Sequence, residues 1–159
     1  MAGVAAAVEL AAPPERVWAT LTDWDRQGEW MLLTRTRGTV HGGQGIGGGI
    51  EGWTGIGPLG VLDTMVVRGW EPGRRVAVRH TGRVVRGSGA FEIEDLGGGR
   101  SRFTWSEWLD LPLGPLGRLG WPLARPLVRA GLRYSLARFR TVVEGGTVVE
   151  GGAAAPAAR

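Results

Sequence analysis

The sequence predicts an α+β fold, a strongly curved antiparallel sheet of about seven strands wrapped around one long C-terminal helix, in the order β-α-α-β6-α. Three observations carry that reading. Residues 112–144 are the only long stretch with helical periodicity, and residues 32–111 break into short β-branched runs separated by glycine and proline. Two short helical patterns stand between the first strand and those runs.

Residues 4–10 form a β-prone run that ends at Pro13 and Pro14, where a first-turn proline can open a helix because it loses no needed N–H. In PERVWATL, Val17 and Leu21 lie one helical turn apart with Trp18 beside them, so this helix is short and has one apolar face. Thr22 or Asp23 can cap a second short helix over residues 24–31. Trp18, Trp24 and Trp30 would then plug the open end of the sheet.

Six strands follow in LLTRTRGTV, GIEGWTGI, VLDTMVV, RRVAVRH, GAFEIED and SRFTWSEWLDL. Their connections are too short for crossovers, so the pairing is mostly antiparallel. Gly73 after Pro72 and the run Gly97, Gly98, Gly99 mark turns. Glycines over residues 42–60 weaken a strand locally but let the sheet bend. In the last segment Pro122 and Pro126 argue against one continuous helix. A proline-broken approach from Pro112 is expected, then a regular helix from Leu123 or Pro126 to about Val143. Its apolar face carries Val128, Leu132, Leu136, Phe139 and Val143, with Ser135 among them. Residues 1–144 read as a single domain. TVVEGG at 141–146 recurs at 147–152, and residues 145–159 read as a disordered Gly/Ala-rich tail.

Composition excludes several function classes. A chain of 159 residues can bury roughly 70% of its unfolded surface, enough for one core and a cavity. Without cysteine there is no disulfide, thiolate metal site or cysteine nucleophile. The N-terminus lacks a basic region and Glu9 interrupts its apolar run, so a signal peptide or membrane span is not expected and the default location is cytoplasmic. All nineteen basic residues are arginine, scattered through every segment, which fits GC-rich coding and a solvated surface rather than a nucleic-acid partner. Residues 43–48 match G-x-G-x-x-G by spacing, but no helix follows to receive a pyrophosphate. With no lysine there is no Walker A loop, and with only His41 and His80 a structural zinc site is not expected. No cofactor or metal is predicted.

The stretch APPERVWATLTDWDRQGEWM, with Pro13 or Pro14, Val17, Trp18, Asp23, Trp24 and Trp30, resembles the opening of the START-like, or polyketide cyclase/dehydrase and lipid-transport, superfamily. The later turn through Trp70, Pro72 and Arg74 is similar to that superfamily's Trp-x-Pro-x-Arg turn. The resemblance covers about residues 4–144 and implies the helix-grip fold. Cyclases, lipid carriers, hormone receptors and chaperone partners share that scaffold, so it implies a cavity for a hydrophobic small molecule without choosing an activity.

Alternation along the strands says which residues could line such a cavity. Phe103, Trp105 and Glu107 share a face of the last strand, Val78 and His80 another, and Phe91 and Ile93 a third. Asp63 travels with Met65. Arg83 could stand at a cavity mouth, Trp53 could contact ligand, and Val128, Leu132, Ser135 and Phe139 would roof the pocket from the helix. His80 and Glu107 could serve as a general acid and base, as aldol cyclisation and dehydration require, or could hydrogen-bond each other and complete a cavity wall. The reading is a carrier or sequestering protein for a lipid or polyketide-like molecule, with a cyclase, aromatase or dehydratase using His80 and Glu107 as the alternative. The protein would be a monomer or homodimer, with no stable membrane insertion. The apolar approach around Arg118, Trp121 and Arg125 could form a portal flap or touch an anionic membrane transiently.

Overall fold

The computed structural model describes residues 2–110 and 114–145. Strand β1 (Ala2–Leu10) leads into α1 (Pro14–Leu21) and a 3₁₀ turn (Trp24–Glu29). Then come β2 (Thr34–Gly38), a second 3₁₀ turn (Val40–Gly43), β3 (Gly49–Ile56), β4 (Leu59–Glu71), β5 (Arg75–Thr81), β6 (Arg86–Gly97) and β7 (Arg100–Leu109). The chain closes with α2 (Pro115–Gly145). The seven strands form one antiparallel sheet in the order β1-β7-β6-β5-β4-β3-β2. Strands β2 to β7 are a meander, and β1 adds to its β7 edge.

Pairing fixes which side chains share the concave face, because directly opposed residues point the same way. One row across the sheet is Met65, His80, Gly87 and Leu109; the next is Val67, Val78, Gly89 and Glu107; a third is Trp70, Val76, Phe91 and Trp105. In β4 the register shifts between Val67 and Gly69, a bulge that brings Trp70 onto the same face as Val67. Trp70 then meets Trp18 of α1 edge-on, 4.9 Å between ring centres.

The core lies between the concave face and the last third of α2. Phe139 is fully buried, with its ring 4.7 Å from both Trp30 and Phe103. Leu132, Leu136 and Val143 complete the buried stripe. Three polar contacts anchor the helix: Ser135 Oγ accepts from the Leu32 N–H at 3.0 Å, Glu144 Oε1 accepts from the Ala11 N–H at 2.8 Å, and Arg138 donates to the Glu29 carbonyl at 2.8 Å.

Two elements differ from the sequence expectation. Helix α2 runs unbroken through Pro122 and Pro126. Each proline removes one intrahelical donor, but both are exposed, where the carbonyls left without a donor can be solvated. The second short helix is a 3₁₀ turn whose first turn has no side-chain cap; Thr22 Oγ1 donates back to the Trp18 carbonyl at 2.9 Å instead. Apart from Gly145, the expected tail lies outside the described residues, as does Pro112. Among the described residues, no helix is long and apolar enough to cross a membrane.

Candidate functional site

A partly enclosed cavity of about 120 Å³ opens between the concave face and the first 3₁₀ turn. Its floor is Met65, Val78, His80, Phe91, Trp105 and Glu107 from β4 to β7. Thr34, Thr36, Ile50, Gly52 and Thr54 of β2 and β3 form one wall, and Asp63 stands beside them. The roof is Trp24, Gln27 and Met31.

Buried hydrogen bonds hold that roof. Gln27 is 1% exposed and donates from Nε2 to the Leu21 carbonyl at 2.9 Å, and Thr36 Oγ1 lies 3.1 Å from its Oε1. Trp24 Nε1 donates to the Gly43 carbonyl at 3.1 Å. Gly43 has φ of 75° and passes so close to the indole that a Cβ would sit 2.5 Å from Nε1, so glycine is required there.

At the other end of the cavity three ionisable side chains meet. His80 Nδ1 donates to Asp63 Oδ2 at 2.6 Å and Nε2 to Glu107 Oε2 at 3.0 Å. Trp105 Nε1 donates to Glu107 Oε1 at 2.7 Å. Asp63 Oδ1 is buried and has no hydrogen-bond partner among the described residues.

The contact between His80 and Glu107 needs a gap in the sheet. They lie on β5 and β7, two strands and about 10 Å of backbone apart. The strand between presents Gly87 and Gly89 on the concave face, so nothing separates the two side chains. A Cβ at Gly89 would fall 2.8 Å from Glu107 Oε2. Further along β6 the same face carries Phe91, at the cavity floor, and Ile93, which packs in the core.

The surrounding groups favour the protonated imidazole. Burial pulls its pKa down, but hydrogen bonds to Asp63 and Glu107, reinforced by the charges of both, outweigh it and raise His80 to about 10. At neutral pH His80 is therefore an imidazolium that donates from both nitrogens. In that form both ring nitrogens are occupied as donors.

The other expected site residues sit elsewhere. Trp53 is on the convex face, beside Arg35, Arg37 and Leu62, because alternation puts it opposite Gly52 and Thr54. Arg83 is exposed in the β5–β6 connection and does not reach the cavity. Ile93, Phe103, Leu132, Ser135 and Phe139 are buried in the core, and Val128 packs at its edge. The helix face is used up by Trp30 and Phe103, so the 3₁₀ turn makes the roof in its place. Trp24, Gln27 and Met31 are not among the expected cavity residues, and their place in the roof depends on how the 3₁₀ turn packs over the sheet.

A larger depression of about 640 Å³ lies between the start of β1 and the first half of α2, lined by Asp110, Arg118, Trp121 and Arg125 among others. It is open and mostly polar. The smaller cavity encloses apolar walls around a few convergent polar groups, the usual form of a small-molecule site.

Solved structures of the same fold accompany this geometry. Protein TTHA0849 of Thermus thermophilus superposes with a TM-score of 0.77 at 16% identity, covering 92% of this chain and 100% of that one. The Zhui aromatase/cyclase of a Streptomyces species gives 0.66 at 19% identity, covering 91% and 92%. The Aha1 dimer of Colwellia psychrerythraea gives 0.66 at 14% identity, covering 93% and 100%. At these identities the likeness shows the helix-grip fold alone. No curated protein matches the sequence. The family model described as polyketide cyclase/dehydrase and lipid transport matches residues 1–144, and the chain belongs to that family.

Proposed function

We propose that the protein binds a hydrophobic small molecule in the cavity beneath Trp24 and Met31, as a carrier or sequestering protein, with the Asp63, His80 and Glu107 cluster as its polar anchor. The observation that carries this reading is the double engagement of His80. An imidazolium held between two carboxylates orients a polar group well and abstracts a proton poorly, since a general base works best with a pKa near the operating pH. Size narrows the ligand. A cavity of about 120 Å³ is below the ~300–1,000 Å³ of drug-sized sites and close to the ~150 Å³ apolar cavity that admits benzene. The part of a ligand enclosed here is about one ring or a short chain segment, so a lipid or polyketide would leave its remainder outside.

The second reading is cyclase or dehydratase chemistry through His80 and Glu107, favoured by the family description and by the aromatase/cyclase among structures of this fold. Native mass spectrometry of the purified chain and of His80→Gln separates the two. The binding reading predicts that any retained compound has the same mass and the same fragmentation pattern in both, since an aldol cyclisation alone leaves the mass unchanged. A compound heavier by one water in His80→Gln would replace it with the dehydratase reading. No retained compound, together with no saturable uptake of phenol or indole, would end both.

A further inference from the structure

Leu116, Leu119, Leu123 and Leu127 recur at intervals of three and four residues, so they share one stripe along the first half of α2. Among the described residues nothing covers them: they are 71%, 78%, 81% and 76% exposed. The stripe has neighbours of the same character. Leu32 lies beside Gly131 of α2, and the next residue, Leu33, is 53% exposed and accepts from the Gly55 N–H near the tip of the β3–β4 hairpin. That tip carries Ile56 and Leu59, which are 71% and 79% exposed. Exposed aliphatic side chains on a helix and on the hairpin linked to it through this segment are more than the scattered single exposures of an ordinary surface.

Charge identifies what this face meets. Between Asp110 and Glu144 the chain has no acidic residue and six arginines, Arg118, Arg125, Arg129, Arg133, Arg138 and Arg140. Arg140 pairs with Glu144, and Arg138 donates to the Glu29 carbonyl. Of the other four, Arg118 and Arg125 line the depression against β1, while Arg129 and Arg133 are exposed and make no ion pair among the described residues. A second copy laid helix to helix would set like charges against each other with no carboxylate between them. An anionic bilayer supplies an apolar layer for the leucines and phosphates for Arg129 and Arg133, whose long stems reach the headgroups while the helix lies in the interface.

We propose that the first half of α2, together with the β3–β4 tip, docks the protein on an anionic lipid surface. The docked face adjoins the cavity, since Met31 and Thr34 line it and flank Leu32 and Leu33. Docking does not depend on what the cavity holds.

Co-sedimentation of the full chain with vesicles tests this. Binding is expected to vesicles of phosphatidylcholine and phosphatidylglycerol, to be absent from phosphatidylcholine alone, and to weaken as salt is raised. Leu119→Glu with Leu123→Glu, and separately Arg129→Glu with Arg133→Glu, should each reduce it about tenfold or more, with unchanged thermal melts because all four residues are exposed. No binding to the anionic vesicles at low salt would overturn the proposal, as would binding that survives both pairs of substitutions. So would sedimentation velocity showing a dimer that Leu123→Glu dissociates, because a second copy would then occupy the stripe.

Discussion

Gly89 and Glu107 face each other across β6 and β7, and the glutamate carboxylate fills the space that a side chain at Gly89 would take. The absence of one Cβ lets Glu107 reach His80 over the intervening strand. A Gly89→Val substitution should leave the sheet folded, because the atoms it meets are the movable end of a side chain, but it should push Glu107 off His80. The expected result is a His80 pKa that falls from about 10 towards 6.5, with a loss of about 1–3 kcal/mol for the broken charged contact, read by imidazole NMR and chemical denaturation.

The same histidine makes stability depend on pH in a known direction. Its folded pKa is raised, from 6.5 to about 10, by Asp63 and Glu107, the ionisable groups that face it. Its contribution is complete below pH 6.5, where folded and unfolded chains are both protonated. Above that the unfolded chain releases its proton first, and stability falls as pH rises to about 10. Denaturation midpoints between pH 6 and 10 should decline for the wild type and stay flatter for His80→Gln.

Cavity volume can be removed without loss of fold. Gly52 faces the cavity with ordinary φ, and an added Cβ would stand 3.5 Å from Thr36 Cγ2 and 3.6 Å from Met65 Cε, normal contact distances. Gly52→Ala should raise stability by about 0.4–1 kcal/mol. Calorimetric titration with phenol should show weaker uptake by Gly52→Ala, and weaker still by Gly52→Val.

Ser135 serves packing rather than ligand. It is 2% exposed and accepts from the Leu32 N–H. Ser135→Ala leaves that donor unpaired at the end of the roof segment and should cost about 1–3 kcal/mol in denaturant, with phenol affinity little changed.

Much of this was readable from local pattern. Phe103, Trp105 and Glu107 alternate onto one face, as do Asp63 with Met65 and Val78 with His80, so the concave face could be assembled strand by strand. Which of its rows becomes hollow could not, because that depends on register. Only the pairing of Val78 and Glu107 with Gly89 shows that β6 is empty at the point where His80 needs passage. Trp53 was misplaced for the same reason: its face follows from Gly52 opposing Asp63, a long-range fact. Pro122 and Pro126 suggested a break that exposure to solvent makes unnecessary. The roof passed from α2 to Trp24, Gln27 and Met31 because Trp30 and Phe103 took the helix face first.

The central claim is that His80 is a fixed cation between two carboxylates, an anchor rather than a base. Imidazole ¹⁵N chemical shifts followed from pH 5 to 11 test it most directly, with His80→Gln used to assign the signal against His41. The account predicts that both His80 nitrogens stay protonated through pH 8, with a midpoint near 10. A singly protonated His80 ring at pH 7 would contradict it and return the residue to candidacy as a general base.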